Sequence, residues 1–206
     1  NPRYYFDLRK ERKVAAKGES AYTPGVALIA GLGAALDYIA AQADGDLARG
    51  RELLVDNAEL CAAMTRAAAE AMGMRLFAPV APAAAVTALL APEDVDSGVI
   101  VKELKSRFRA VITNGQGEMQ GKIFRIAHLG YFDPLDTLAL IGALEHVVVD
   151  SLPASNFKLG TALTAAQQVY AEASRNGGNW SNSKTTCACG RAKGQCAKNQ
   201  LASASR

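Results

Sequence analysis

Residues 114–131 constrain the fold of this chain more than any other stretch of its sequence. Three glycines, Gly115, Gly117 and Gly121, precede a short strand-like run, Lys122 to His128. Closely spaced glycines followed by such a run are typical of a flexible loop that leads into a strand. The sequence therefore predicts a glycine-rich loop and, directly after it, a β-strand over residues 122–128.

The predicted strand presents two different faces. Successive side chains of a strand point to opposite faces, which puts Ile123, Arg125 and Ala127 on one face and Phe124, Ile126 and His128 on the other. Arg125 is the unusual residue, because it is a cation between small or apolar neighbours. Its guanidinium would extend to water, pair with an acidic side chain, or hold an anionic ligand, and the planar fork suits a carboxylate. The residues alone leave these alternatives open.

Periodicity elsewhere in the chain predicts an α/β fold, in which helices cover at least one side of a small sheet. Apolar residues recur at helical spacing over residues 26–43, 46–73, 97–108, 134–150 and 157–173, and a charged helix is predicted over 3–17. Shorter strand-like runs cover residues 75–78, 85–91 and 110–113.

The start of the helix predicted over residues 26–43 is a second candidate site. Thr23 is a favourable N-cap residue, and Pro24 suits the first helical position, where its missing N–H costs nothing. A helix N-terminus also presents free N–H groups and a partial positive charge, which suit a phosphate. A plain helix cap and an anion site are both compatible with these residues.

Composition excludes several classes of protein. Half of the 206 residues are hydrophobic, enough for a packed core, and the net charge of +3 is too small to indicate nucleic-acid binding. No apolar run reaches transmembrane length, so we expect no membrane association. The chain begins Asn-Pro-Arg and reads as a fragment, in which N-terminal targeting would not be visible, and we expect a cytoplasmic protein.

The sequence of residues 115–130 resembles a known family. Gly-Gln-Gly-Glu-Met-Gln-Gly-Lys-Ile-Phe-Arg-Ile-Ala-His-Leu-Gly is similar to the C-terminal signature of the class V pyridoxal-phosphate-dependent aminotransferases, in particular the alanine–glyoxylate, serine–glyoxylate and serine–pyruvate enzymes. The resemblance implies that Arg125 binds the substrate α-carboxylate. Tyr22-Thr23-Pro24 is similar to the family segment that contacts the cofactor phosphate and reaches the active site of the neighbouring subunit. Pyridoxal phosphate bound by Thr23 and a homodimer with shared active sites are therefore expected.

The resemblance also implies an architecture. The chain would be the C-terminal part of a fold-type I pyridoxal-phosphate-dependent transferase, in which long helices lead into a small α/β sandwich domain. Residues 1–45 would end the large cofactor-binding domain, and residues 46–173 would form the connecting helix and the small domain. Residues 174–206 lack apolar periodicity and are predicted to be a disordered tail.

The implied activity is transamination of a small α-amino acid, alanine or serine, with glyoxylate or pyruvate as acceptor. The family's Schiff-base lysine is expected upstream of residue 1, so no catalytic residue is assigned, and the isolated chain is expected to be inactive. The family's flanking residues are absent around each of seven lysines: Lys10, Lys13, Lys17, Lys102, Lys105, Lys122 and Lys158. An alternative is an inert truncated chain that only dimerises. A cysteine desulfurase is disfavoured, because no cysteine lies between Ala62 and Thr186.

The remaining chemically notable residues have ordinary interpretations. Cys61 lies on an apolar helical stripe and is predicted to be a buried small hydrophobic residue. Cys187, Cys189 and Cys196 have no histidine nearby and make a poor zinc set, so no metal site is expected. His128 and His146 are expected to pack or to lie at the surface. Glu118 would either border an active site or be a solvated loop charge.

Overall fold

The computed structural model describes residues 4–151 and 157–175. The chain divides into two compact units, Asn1–Glu52 and Leu53–Arg206, and each is described by itself. The disordered tail was predicted over residues 174–206. Its first two positions belong instead to the last helix, and residues 176–206 lie outside the described residues.

The first unit is helical. A short 3-10 helix, Tyr4–Phe6, precedes α1 (Leu8–Ala15), which begins where the Asp7 carboxylate accepts hydrogen bonds from the backbone N–H groups of Arg9 and Lys10. Helix α2 (Val26–Ala41) follows. It is almost wholly apolar, yet none of its residues is buried, and the Leu28 side chain is 81% exposed. The unit therefore presents a large apolar surface to whatever surrounds it.

Thr23 is not the N-cap of α2, so that prediction was wrong. The N-cap is Gly25, which makes no side-chain capping bond. The Val26 N–H donates to the Pro24 carbonyl at 2.9 Å, and Gly25 between them has φ −74° and ψ 69°, an inverse γ-turn. This turn uses the Pro24 carbonyl before the helix starts, so the helix begins two residues later than the proline pattern suggests.

The second unit is a three-stranded antiparallel sheet packed on helices. Its elements are α3 (Leu47–Ala71, which begins in the first unit), β1 (Val86–Leu90), α4 (Ser97–Phe108), β2 (Thr113–Asn114), β3 (Ile123–Ala127), α5 (Pro134–Ser151) and α6 (Thr161–Arg175). The strand order is β1–β3–β2, so the strand that carries Arg125 lies in the centre. The predicted α/β fold class is confirmed.

One face of the sheet and the inner faces of the helices form the core. The core cluster combines side chains of the strands with side chains of α3, α4 and α5: Met64, Ala68, Leu89, Ile100, Leu104, Phe124, Ile126, Ile141 and Leu144. Phe124, Ile126 and His128 are all buried, as strand alternation predicts. Burial of this apolar surface is the main stabilising contribution, at roughly 25 cal/mol per Å².

Several helix ends follow local sequence signals. Asp46 caps α3 by accepting from the N–H groups of Ala48 and Arg49, at 2.9 and 3.1 Å. Asp133 caps α5 in the same way, by accepting from Leu135 and Asp136 at 2.7 and 3.0 Å. Both helix starts follow the preference for aspartate at the N-cap position.

Three other predicted elements differ from the structure. Residues 75–78 do not form a regular strand, since only an isolated bridge joins Leu76 to Leu89 of β1. The strand predicted over 110–113 is instead Thr113–Asn114. The last helix starts at Thr161 rather than at 157. Gly160 before it has φ +89°, and the buried carboxylate of Glu145 in α5 accepts hydrogen bonds from the N–H groups of Ala162 and Leu163.

Candidate functional site

Arg125 lies at the centre of β3, on the face of the sheet turned away from the core. Its cross-strand partners are Ala88 on β1 and Thr113 on β2. Partners directly opposite each other in an antiparallel pair have their side chains on the same face. Two small side chains therefore flank the arginine, and Val86 and Ala127 on the same face are exposed. The guanidinium is half-buried on a surface that has room beside it.

The hydrogen bonds of Arg125 leave most of its donor capacity unused. Nη2 donates to the main-chain carbonyl of Asn114 at 3.0 Å. Nε is buried and has no hydrogen-bond partner, and Nη1 makes no hydrogen bond within residues 4–151 and 157–175. In that part of the chain no carboxylate lies within 4.0 Å of the arginine, since the ion pairs found there are Arg49–Glu52 and Arg107–Asp150.

A guanidinium with unused N–H donors is chemically suited to an anion. A buried N–H without an acceptor costs about 1–3 kcal/mol, and this cost disappears when an acceptor binds. A carboxylate offers two oxygens in one plane, which matches the planar fork of arginine. The sequence left three alternatives open for Arg125, and one of them, an internal ion pair, is not found among the described residues. Its assignment to a substrate carboxylate stays a prediction.

The loop that enters β3 is held by side chains that the sequence did not connect. The Asn114 side-chain oxygen accepts from the hydroxyl of Ser97, at the start of α4, at 2.5 Å. It also accepts from the N–H groups of Gly115 and Gly121, at 2.8 and 3.4 Å. Ser97 is fully buried, and its own N–H donates to the Gly121 carbonyl at 2.9 Å. The asparagine before the first glycine is visible in the sequence as a residue typical of turns. Nothing in the sequence indicates that its side chain bonds to Ser97, 17 residues earlier.

Thr23, the predicted phosphate ligand, lies in the first unit. Its side chain is exposed and makes no hydrogen bond within the described residues. Helix α2 begins three residues later without a side-chain cap. The Val26 and Leu28 N–H groups donate to the Pro24 and Gly25 carbonyls, each at 2.9 Å, so what the helix start offers an anion is chiefly the positive end of its dipole. A free hydroxyl beside an uncapped helix N-terminus fits a phosphate group. The residues of this unit are therefore suited to the phosphate group of pyridoxal phosphate.

The other singled-out residues divide between core and surface. Cys61 is fully buried, as predicted, and burial raises the pKa of its thiol. His128 is 2% exposed and lies 2.9 Å from the Thr87 hydroxyl, whereas His146 is exposed and stacks on Phe108. Glu118 is an exposed residue of a 3-10 turn in the glycine-rich loop.

Neither a metal centre nor a membrane span emerges from the part of the chain that the structure describes. No group of three or more His, Cys, Asp and Glu side chains there is arranged to hold a metal ion. None of the described helices combines the length and the apolarity that crossing a bilayer requires. The three cysteines of the tail, Cys187, Cys189 and Cys196, lie outside the described residues.

Comparison with known proteins gives relatives with two kinds of name. The chain is 35% identical over 172 residues to the soluble hydrogenase small subunit of Synechococcus sp., covering 84% of this chain and 43% of that protein. It is 34% identical over 172 residues to the L-aspartate–glyoxylate aminotransferase of Paracoccus denitrificans, covering 82% and 41%. It is 32% identical over 173 residues to the serine–glyoxylate aminotransferase of Hyphomicrobium methylovorum, covering 82% and 40%. No protein-family model matches the chain.

Solved structures with the same fold are aminotransferases. The aspartate aminotransferase of subgroup IV from Thermus thermophilus is 31% identical with a TM-score of 0.59, covering 74% of this chain and 41% of that one. The pyridoxamine–pyruvate aminotransferase of Mesorhizobium loti is 26% identical with a TM-score of 0.62, covering 75% and 38%.

The fold is therefore that of part of a fold-type I pyridoxal-phosphate-dependent transferase. Among these proteins, the chain belongs to the class V aminotransferase family. It spans about two fifths of the length of the curated relatives it matches.

Proposed function

We propose that this chain supplies the substrate-carboxylate site of a pyridoxal-phosphate-dependent aminotransferase. The proposed reaction moves the amino group of a small α-amino acid, alanine or serine, to glyoxylate or pyruvate. The observation that carries the proposal is the half-buried guanidinium of Arg125, which has a buried Nε without a partner and no carboxylate within 4.0 Å in the described residues. Family membership and relatives named for glyoxylate as co-substrate support it.

The proposed role of Arg125 is to bind the substrate carboxylate and to orient the substrate. Amino and 2-oxo substrates of one reaction carry the same carboxylate next to the reacting carbon, so one guanidinium serves both. Two parallel hydrogen bonds fix the rotation of the substrate about its carboxylate, which presents the α-carbon in one direction. Small neighbours at positions 88 and 113 leave space for such a ligand beside the arginine.

The proposed cofactor is pyridoxal phosphate, which when bound supplies the electron sink that lets an amino group leave one carbon for another. Thr23 would hold its phosphate through the side-chain hydroxyl, supported by the positive dipole end of α2. The proposal assigns no catalytic lysine to this chain. The candidate lysines at positions 10, 13, 17, 102, 105, 122 and 158 are all exposed.

A homodimer with shared active sites is the proposed assembly. The exposed apolar side chains of α2 support a protein partner, because contiguous apolar surface of this kind marks association surfaces. Its most exposed large residues are Val26, Leu28, Ile29 and Leu32. Sedimentation velocity tests the assembly: we expect a dimer, and a monomer at all accessible concentrations would contradict it.

Carboxylate binding is tested by titrating the chain with pyruvate. Arg125→Lys keeps the positive charge but loses the planar fork, and we expect pyruvate affinity to fall about tenfold. Arg107→Lys is the matched control, because Arg107 pairs with Asp150 at the surface and lies outside the proposed site. Unchanged affinity in Arg125→Lys would overturn the proposal. In the holoenzyme the same substitution should raise the KM of both the amino and the 2-oxo substrate.

A second candidate function, a subunit of a soluble hydrogenase, is favoured by the names of two relatives, 35% and 32% identical. The same titration separates the candidates, since specific binding of a 2-oxo acid through Arg125 is required only by the aminotransferase. The pattern of solved neighbours and the arginine site favour the aminotransferase.

A further inference from the structure

Arg125 is oriented by one residue at the end of a very short strand. Asn114 is the second and last residue of β2, so few ladder hydrogen bonds fix the direction of its carbonyl. Its cross-strand partner is Phe124, the residue before Arg125. The Arg125 side chain therefore runs back along the sheet to donate from Nη2 to the Asn114 carbonyl at 3.0 Å.

The side chain of the same asparagine fixes the peptide that carries this carbonyl. Its Oδ1 atom accepts from the Ser97 hydroxyl at 2.5 Å and from the Gly115 N–H at 2.8 Å. An amide oxygen has two lone pairs, and the third contact, from the Gly121 N–H, is accordingly longer at 3.4 Å. One atom thus joins the first residue of α4 to both ends of the glycine-rich loop.

The surrounding loop leaves this arrangement little freedom. A Cβ atom built on Gly115 would lie 1.9 Å from the Met119 carbonyl oxygen, and one on Gly121 would lie 2.8 Å from the Asp96 carboxylate. The Gly115 N–H also reaches the Ile123 carbonyl at 2.9 Å, which ties the loop to the first residue of β3. The backbone at position 114 is consequently held on both sides, and its carbonyl has one direction.

We propose that Asn114 is the positioning residue of the carboxylate site: its side chain fixes the carbonyl that holds Nη2, so that Nη1 and the second Nη2 hydrogen stay available to a carboxylate in the plane of the guanidinium. This inference rests on the proposed function of Arg125. It adds a residue that contacts no substrate but determines the orientation of the group that does. Without the side-chain anchor, the guanidinium has to be ordered by the ligand itself, which lowers affinity.

The test compares pyruvate affinity in four variants of the full chain. Asn114→Ala removes the anchor and should weaken binding about fivefold, whereas Asn114→Asp keeps the accepting oxygen and should stay within about twofold of the wild type. In the Arg125→Lys background, adding Asn114→Ala should cause no further loss, because the lysine has no planar group to orient.

A second readout separates positioning from general stability. The Arg125 Nε–H resonance of the 15N-labelled chain should shift and exchange faster with water in Asn114→Ala than in Asn114→Asp, and thermal unfolding reports the stability of each variant. The inference is overturned if Asn114→Ala binds pyruvate as the wild type does while Arg125→Lys does not. It is also overturned if Asn114→Ala weakens binding equally in the Arg125→Lys background. If Arg125→Lys itself binds normally, the proposed function fails first, and this inference fails with it.

Discussion

The Nε2 atom of His128, the residue directly after β3, lies 2.9 Å from the hydroxyl oxygen of Thr87 on β1. The imidazole is 2% exposed, and its Nδ1 atom has no partner within the described residues. Burial, together with the positive charge of Arg66, lowers the pKa of His128 from 6.5 to about 4. The folded chain therefore holds this histidine neutral at pH values where the unfolded chain protonates it.

This difference predicts an acid-sensitive stability. Between the unfolded pKa of 6.5 and the folded pKa of about 4, the unfolded state binds more protons, so stability rises with pH across this window. The contribution is full above about pH 6.5 and is lost as the pH falls toward about 4. Urea unfolding should show a loss of about 2 kcal/mol between about pH 7 and about pH 5 from this residue.

The control for the pH effect uses the other histidine. His128→Gln should flatten the dependence of unfolding free energy on pH in this window, while His146→Gln should leave it as it is, because His146 is exposed. An unchanged slope in His128→Gln would show that other groups cause the acid sensitivity.

We expect a large loss of stability when the buried carboxylate of Glu145 in α5 is removed. It is 3% exposed, and its carboxylate accepts from the N–H groups of Gly160, Ala162 and Leu163 at 2.9, 2.6 and 3.1 Å. These groups surround the N-terminus of α6, so the carboxylate caps one helix from another. Glu145→Ala should lower the free energy of unfolding by about 3 kcal/mol, measured by urea denaturation.

Two further substitutions control this prediction. Glu145→Gln keeps one accepting oxygen and should cost less, about 1–2 kcal/mol. Glu172→Ala changes an exposed glutamate of α6 and should stay within about 0.5 kcal/mol of the wild type. Equal losses in Glu145→Ala and Glu172→Ala would mean that the cap contributes nothing.

The sequence predicted local features better than long-range ones. The bounds of α4 and the inward positions of β3 follow from residues within one or two turns of each other, which a single sequence displays. The late start of α6 depends on Glu145, which lies 15–18 residues away from the groups it binds. No spacing rule connects residues at that distance.

The candidate site shows the same division. Arg125 is visible in the sequence as a cation on a short strand, and its face is set by alternation. Asn114 and Ser97 are not, because their contact depends on how α4 packs against the loop. The Thr23 cap failed because an inverse γ-turn at Gly25 competes with the capped helix start, and both use the same residue types.

We expect the glycine-rich loop to tolerate no side chain at position 115. A Cβ there would lie 1.9 Å from the Met119 carbonyl oxygen and 2.5 Å from its carbon, both backbone atoms. Gly115→Ala should therefore destabilise the chain by about 2 kcal/mol and weaken pyruvate binding, because the loop has to shift. Thermal unfolding and the pyruvate titration measure the two effects.

The matched control is Gly142→Ala in α5. Nothing lies within 4 Å of a Cβ at Gly142, and alanine is the better helix former, so this variant should gain about 1 kcal/mol. A Gly115→Ala variant as stable as the wild type would show that the loop relaxes easily.

The small side chain of Ala88 leaves a path by which we expect a carboxylate to reach Arg125. It lies opposite the arginine on β1, and its carbonyl accepts from the Phe77 N–H at 2.9 Å, on the side away from β3. Side chains approach most closely in such non-hydrogen-bonded pairs. Ala88→Leu should therefore cover the guanidinium and lower pyruvate affinity about tenfold, with little loss of stability. Val86→Leu, on the same face two residues earlier, should bind pyruvate normally. Full affinity in Ala88→Leu would mean that the carboxylate does not approach over β1, and the ligand would then have to enter from the Thr113 side of the arginine.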